Sequence, residues 1–191
     1  MPGIGHNNGP TMENGRAWRR HCWTKARKDL LPQLPLEVIR LRMKRARQLG
    51  LPFATYNRVR ATTGQDIVAF LFSTNALRMI RAVELEEEKA EKLRSIVGCK
   101  TLVAAQPPLD AEQVNARLLD AGVSPLRTLA APIGLQSHGQ IARQMRSLLK
   151  EEHLPGDRVL VIGETALEKE WCAAGRMAGF VSGEVYFAHG S

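Results

Sequence analysis

The stretch Ile67-Val-Ala-Phe-Leu-Phe72 runs six apolar residues without a break. It is too short for an ordinary helix and lacks the alternation of a half-solvated strand, so it predicts a strand covered on both faces. Val159-Leu-Val-Ile162 has the same character. Working outward from these two, Thr101–Ala105, Arg127–Ala130 and Val185–Ala188 read as further strands. Helical segments are expected near 84–97, 110–121, 137–152 and 165–178. Strands alternating with helices need crossover connections, which gives residues 65–191 an α/β fold with a mainly parallel sheet and helices on both faces.

The rest of the composition fits such a body with an appendage. The chain has 191 residues, of which 44% are apolar, enough for a real core. No run approaches the roughly 18–20 apolar residues of a membrane span, and the N-terminus does not read as a secretory leader, so a cytoplasmic protein without membrane contact is expected. Cys22, Cys99 and Cys172 are odd in number and widely spaced. They are expected to be free thiols, with Cys99 and Cys172 buried. The histidines are scattered, and no spacing builds a metal site.

Charge is distributed unevenly. Residues 1–60 carry thirteen Lys/Arg against three Asp/Glu, and residues 61–191 carry fourteen against sixteen. A basic end on a near-neutral body suggests a polyanionic partner, the plainer alternative being a solubilising helical surface. Residues 1–15, with four glycines and two prolines, read as a disordered tail. Residues 16–64 read as a basic all-helical segment, with one helix from Arg16 to about Leu30 and a second from Pro35 to Gly50. On the second, Leu36, Ile39, Met43 and Ala46 or Arg47 lie one turn apart as an apolar stripe, with Arg40, Arg42, Lys44 and Arg45 around it.

Ala46-Arg-Gln-Leu49-Gly50-Leu51-Pro52-Phe53-Ala54-Thr55-Tyr56-Asn57-Arg58-Val59-Arg60 resembles the helix-turn-helix of lac-repressor-type regulators. A small residue stands at the helix crossing, a glycine at the turn, and Leu51 and Val59 serve as apolar anchors. Pro52 departs from the usual capping hydroxyl residue, and Tyr56 from a compact aliphatic one. The resemblance implies that the second helix enters the major groove, with Phe53, Ala54, Thr55, Asn57 and Arg58 toward base edges and Arg60 toward the backbone. Arg40, Lys44, Arg45, Arg47, Arg58 and Arg60 would then neutralise phosphates. Trp18, Trp23 and Tyr56 would pack or stack beside them. A plain helical hairpin remains the alternative.

Residues 66–180 resemble the haloacid-dehalogenase-like (HAD-like) phosphohydrolases, a Rossmann-like fold. The likeness rests on Pro155-Gly-Asp-Arg-Val-Leu-Val-Ile-Gly163-Glu164-Thr165-Ala-Leu-Glu168, followed by Trp171-Cys-Ala-Ala-Gly-Arg-Met-Ala-Gly179-Phe180. In that family an aspartate pair follows the first strand and a hydroxyl residue the second. Here Ser73 and Asn75 occupy the aspartate positions, and Ala105 replaces the hydroxyl. Neither Ser73 nor Asn75 can act as the attacking carboxylate. The resemblance therefore implies a catalytically inactive relative, a pseudoenzyme whose crevice at Ser73, Asn75, Gly163, Glu164 and Glu168 is left for a small ligand. Glu164 and Glu168 are expected to be exposed dipole partners opening a helix. The function expected is nucleic-acid binding, to DNA or RNA, by a regulatory protein whose body dimerises as a homodimer or senses a ligand. The alternative is a HAD-like metal-dependent phosphohydrolase, and only there is a cofactor expected, Mg.

Overall fold

The computed structural model describes residues 34–134 and 136–188. The expected tail at 1–15 and the helix at 16–30, with Trp18, Cys22 and Trp23, lie outside the described residues. The described residues from Arg40 on belong to one compact unit.

Five strands, β1 (Ala69–Ser73), β2 (Lys100–Ala105), β3 (Arg127–Ala130), β4 (Val159–Gly163) and β5 (Gly179–Ser182), form one sheet in the order β3-β2-β1-β4-β5. Every neighbouring pair is parallel, with Phe70 beside Thr101 on one side and Leu160 on the other. The helices are α1 (Leu36–Gln48), α2 (Phe53–Thr63), α3 (Glu87–Arg94), α4 (Ala111–Asp120), α5 (His138–Glu151), α6 (Ala166–Gly175) and α7 (Gly183–Phe187). This is a Rossmann-like α/β fold. From β1 the chain steps through β2 to β3, then returns to the other side of β1 for β4. The strand order reverses between β1 and β4, where parallel sheets place a ligand crevice at the carboxyl ends; here that place is occupied by the buried Ser73, Gly163 and Glu168.

The uninterrupted apolar runs are explained by burial, since β1 and β4 are buried along their whole length. Successive side chains on a strand point to opposite faces, so Phe70, Phe72, Val103, Leu160 and Ile162 enter one core while Ala69, Leu71, Leu102, Val159 and Val161 enter the other. The second core is closed by α5, through Ile141, Met145 and Leu148, and by α6, through Trp171. The first is closed by Val114 and Leu118 of α4, Ala90 and Leu93 of α3, Tyr186 of α7, and Ala46, Leu49, Leu51, Tyr56 and Val59 from the basic region. That region therefore shares its apolar core with the sheet.

Four expectations are corrected. Val185–Ala188 is not a strand: it lies in and just after α7, and the fifth strand is Gly179–Ser182. The Ser182 hydroxyl accepts from Val185 N and starts a helix where the apolar run suggested extension. Correspondingly, the helix expected to reach 178 ends at Gly175, with Arg176 in the left-handed conformation. On α1 the expected apolar stripe is buried only toward its end: Ala46 is buried and Ile39 half-buried, while Leu36 is 60% and Met43 38% exposed. Arg45 fastens this end of the helix by donating to Asp66 Oδ2 (3.0 Å) and to the carbonyls of Ile67 (2.9 Å), Val97 (3.0 Å) and Gly98 (2.9 Å). Cys99 and Cys172 are free thiols but only half-buried.

Candidate functional site

Two places gather the residues singled out by sequence, the turn between α1 and α2 and the crevice between β1 and β4. At the turn, Gly50 N donates to Arg47 O (3.0 Å) and Leu51 N to Ala46 O (2.9 Å). This bond pair requires a left-handed residue between them, and Gly50 has φ +63°. A Cβ there would also meet Lys92 Cε and Tyr186 Oη at 3.3 Å. The buried Tyr186 hydroxyl donates to Leu49 O (3.1 Å), so α7 is seated against the turn. Tyr56 finds its partner in Asp66 Oδ1 (2.8 Å), and burial together with that carboxylate pushes its phenol up to about 12.

The cationic side chains separate into two groups. The guanidinium of Arg45 is taken up by Asp66 and three carbonyls, and Arg42 Nη1 donates to Asn57 Oδ1 (2.6 Å). These hold the helices in place. Arg40, Lys44 and Arg47 of α1 and Arg58 of α2 are exposed, whereas Thr55 and Arg60 are half-buried. No acidic residue occurs between Glu37 and Asp66, and Asp66 is engaged by Arg45 and Tyr56. On α2, Tyr56 and Val59 face the core and Asn57 is held by Arg42, which leaves Ala54 and Arg58 as the outward side chains of its first turns.

The crevice brings Ser73, Asn75, Gly163, Glu164 and Glu168 together. Here the expectation for Glu168 is corrected, because it is 0% exposed. Its Oε1 accepts from Asn75 Nδ2 (2.9 Å) and Gln106 Nε2 (3.1 Å), and its Oε2 from the backbone N of Glu164 (2.5 Å) and Thr165 (2.7 Å). Burial pushes this carboxyl's pKa up, but the backbone donors, with Ser73 and Gln106, outweigh it and hold the group below the usual glutamate value. Glu164 is exposed, and its Oε1 accepts from Glu184 N (3.0 Å) at the start of α7. Ser73 Oγ accepts from Ala76 N (3.1 Å).

Sequence reasoning missed Thr74 and Gln106, although both are polar residues placed directly after apolar strands. Thr74 Oγ1 accepts from Gln106 N (2.9 Å) and so positions the amide that reaches Glu168. Among the described residues no group of three His, Cys, Asp or Glu side chains is arranged to hold a metal ion, and no helix is long and apolar enough to cross a membrane. Comparison with protein-family models, with curated proteins and with solved structures gave no match to this chain.

Proposed function

We propose that the protein binds nucleic acid through the exposed basic face of α1 and α2, and that its α/β body serves this regulatory role without catalysing a reaction. One observation carries the reading: Lys44, Arg47 and Arg58 stand exposed in a stretch of sequence with no acid between Glu37 and Asp66, and Asp66 is already engaged. Exposed cations attract phosphates and release their counterions. Because Tyr56 and Val59 bury one side of α2 and Arg42 holds Asn57, the outward groups are suited to backbone contact more than to base edges. Binding of low sequence preference follows.

Electrophoretic titration of a DNA duplex across a salt series tests this. Three phosphate contacts predict a slope of log K against log salt of about −2.7, at about −0.9 per contact. Binding that ignores salt, or no binding to either DNA or RNA, removes the proposal.

The crevice supports the inactive-relative reading over an active phosphohydrolase. A carboxylate that attacks phosphorus or gathers magnesium needs lone pairs to offer, and those of Glu168 already accept from Asn75, Gln106, Glu164 and Thr165. No magnesium-dependent phosphate release from an aryl phosphate is expected. Turnover that disappears in Glu164→Ala would reverse this assignment.

A further inference from the structure

We propose that the cleft between the α1–α2 turn and α3 receives one unpaired base of the nucleic acid whose backbone the basic face holds, an inference that rests on the nucleic-acid reading above. The cleft has a volume of about 790 Å³, within the range of sites that take a small organic ligand. Arg47 stands in its wall as well as on the basic face, so the two surfaces are continuous. A strand whose phosphate is held by Arg47 therefore passes beside the cleft.

The lining decides what can enter. Its apolar part comes from Leu51 and Pro52 of the turn and from Phe187 of α7. Two of its cations are already committed, since Lys89 is paired with Glu86, and Lys92 donates to Tyr186 O with its ammonium 4.8 Å from the Tyr186 ring centroid. Glu88 and Glu91 add two exposed carboxylates on the α3 side. Those carboxylates repel a phosphate from the interior and accept from N–H groups, while Arg47 holds the phosphate outside. The matching occupant is neutral, apolar on its faces, edged with N–H donors and tethered to a phosphate. A nucleobase on its strand has all four properties. Lys89 Nζ lies 5.7 Å from the Phe187 centroid, and the face of a base offers the same ammonium a second π surface. A paired base would first have to leave its helix, so the cleft selects unpaired nucleotides.

Two DNA duplexes with the same backbone test this, one carrying a single unpaired deoxyadenosine at its centre and the other an abasic residue in its place. In electrophoretic titration the full chain should bind the first about tenfold more tightly, the scale of one stacked base. Ser95 is exposed in the cleft wall at the end of α3, so Ser95→Trp should plug the cleft and remove that difference while the abasic duplex still binds. If Ser95→Trp does not fold, Glu91→Trp fills the same space and should give the same result. Equal affinity for the two duplexes, or a difference that a folded plugging variant leaves intact, overturns the base cleft and spares the basic face. Failure of both duplexes to bind removes the basic-face reading and this inference with it. Free adenosine monophosphate that binds and is blocked by Ser95→Trp, with no difference between the duplexes, gives the cleft to a free nucleotide and overturns the proposal.

Discussion

The basic face of α1 and α2 and the crevice between β1 and β4 treat charge in opposite ways. On the face, Lys44, Arg47 and Arg58 are exposed and no acid lies between Glu37 and Asp66 in sequence, so in the proposed function their attraction serves a partner. In the crevice a single carboxylate is wholly buried and surrounded by donors, so its attraction is spent inside the molecule. Arg45 shows that the difference is not one of residue type. It lies one position from Lys44 in the same helix, yet its hydrogen bonds to Asp66, Ile67, Val97 and Gly98 make it part of the crevice's kind of chemistry. Whether an ionisable side chain serves recognition or architecture is decided by what surrounds its charged end.

The contrast can be broken most forcefully at Gly163. Gly163→Ala places a methyl group 2.9 Å from Glu168 and Phe180, and overpacking of this kind should cost about 3 kcal/mol of stability in urea denaturation. A change below about 0.5 kcal/mol would mean that the crevice wall yields. Next in size, Arg45→Ala should cost about 2 kcal/mol, since it leaves Asp66 and three carbonyls without their charged donor. The salt slope of DNA binding should stay at the wild-type value. A shallower slope at unchanged stability would move Arg45 to the recognition group.

The double variant Lys44→Ala, Arg58→Ala sharpens the same division from the other side. It should make the salt slope shallower by about 1.8, with stability changed by no more than about 0.5 kcal/mol.

The smallest effect belongs to acid titration of Glu168. Its folded pKa lies below the ordinary glutamate value, so its contribution is complete above that value and is lost as pH falls through the lower, folded one. The stability gap between the wild type and Glu168→Gln should therefore narrow below about pH 4.5. A gap that widens as the solution is acidified would contradict the direction of the shift.

The parts of the fold legible in sequence were those written locally. Ile67–Phe72 and Val159–Ile162 announce buried strands because both faces of each must be apolar, whatever covers them. Gly179-Phe-Val-Ser182 is four residues long and starts with glycine, so no periodicity distinguishes it from the end of α6, and the more apolar Val185–Ala188 drew the assignment instead. At the crevice, Thr165-x-x-Glu168 is readable as a capping pair. Its burial is not, because the remaining side-chain donors come from Asn75 and Gln106, far away in the chain. On the basic face the count of charges was visible, but its division was not. Arg45 and Lys44 look alike until Asp66, Val97 and Gly98 are brought next to one of them.

The bond from Tyr186 to Leu49 O carries a consequence for the order in which the molecule is made. It joins residues 137 positions apart, and Tyr186 fills the core beside Phe70 and Phe72 with ring centroids 5.6 and 5.4 Å away. During synthesis α1 and α2 leave the ribosome before the side chain that fastens their turn. A nascent chain held before residue 186 has its cations but not the clasp that fixes their spacing, so ordered nucleic-acid binding should begin only once α7 has been released.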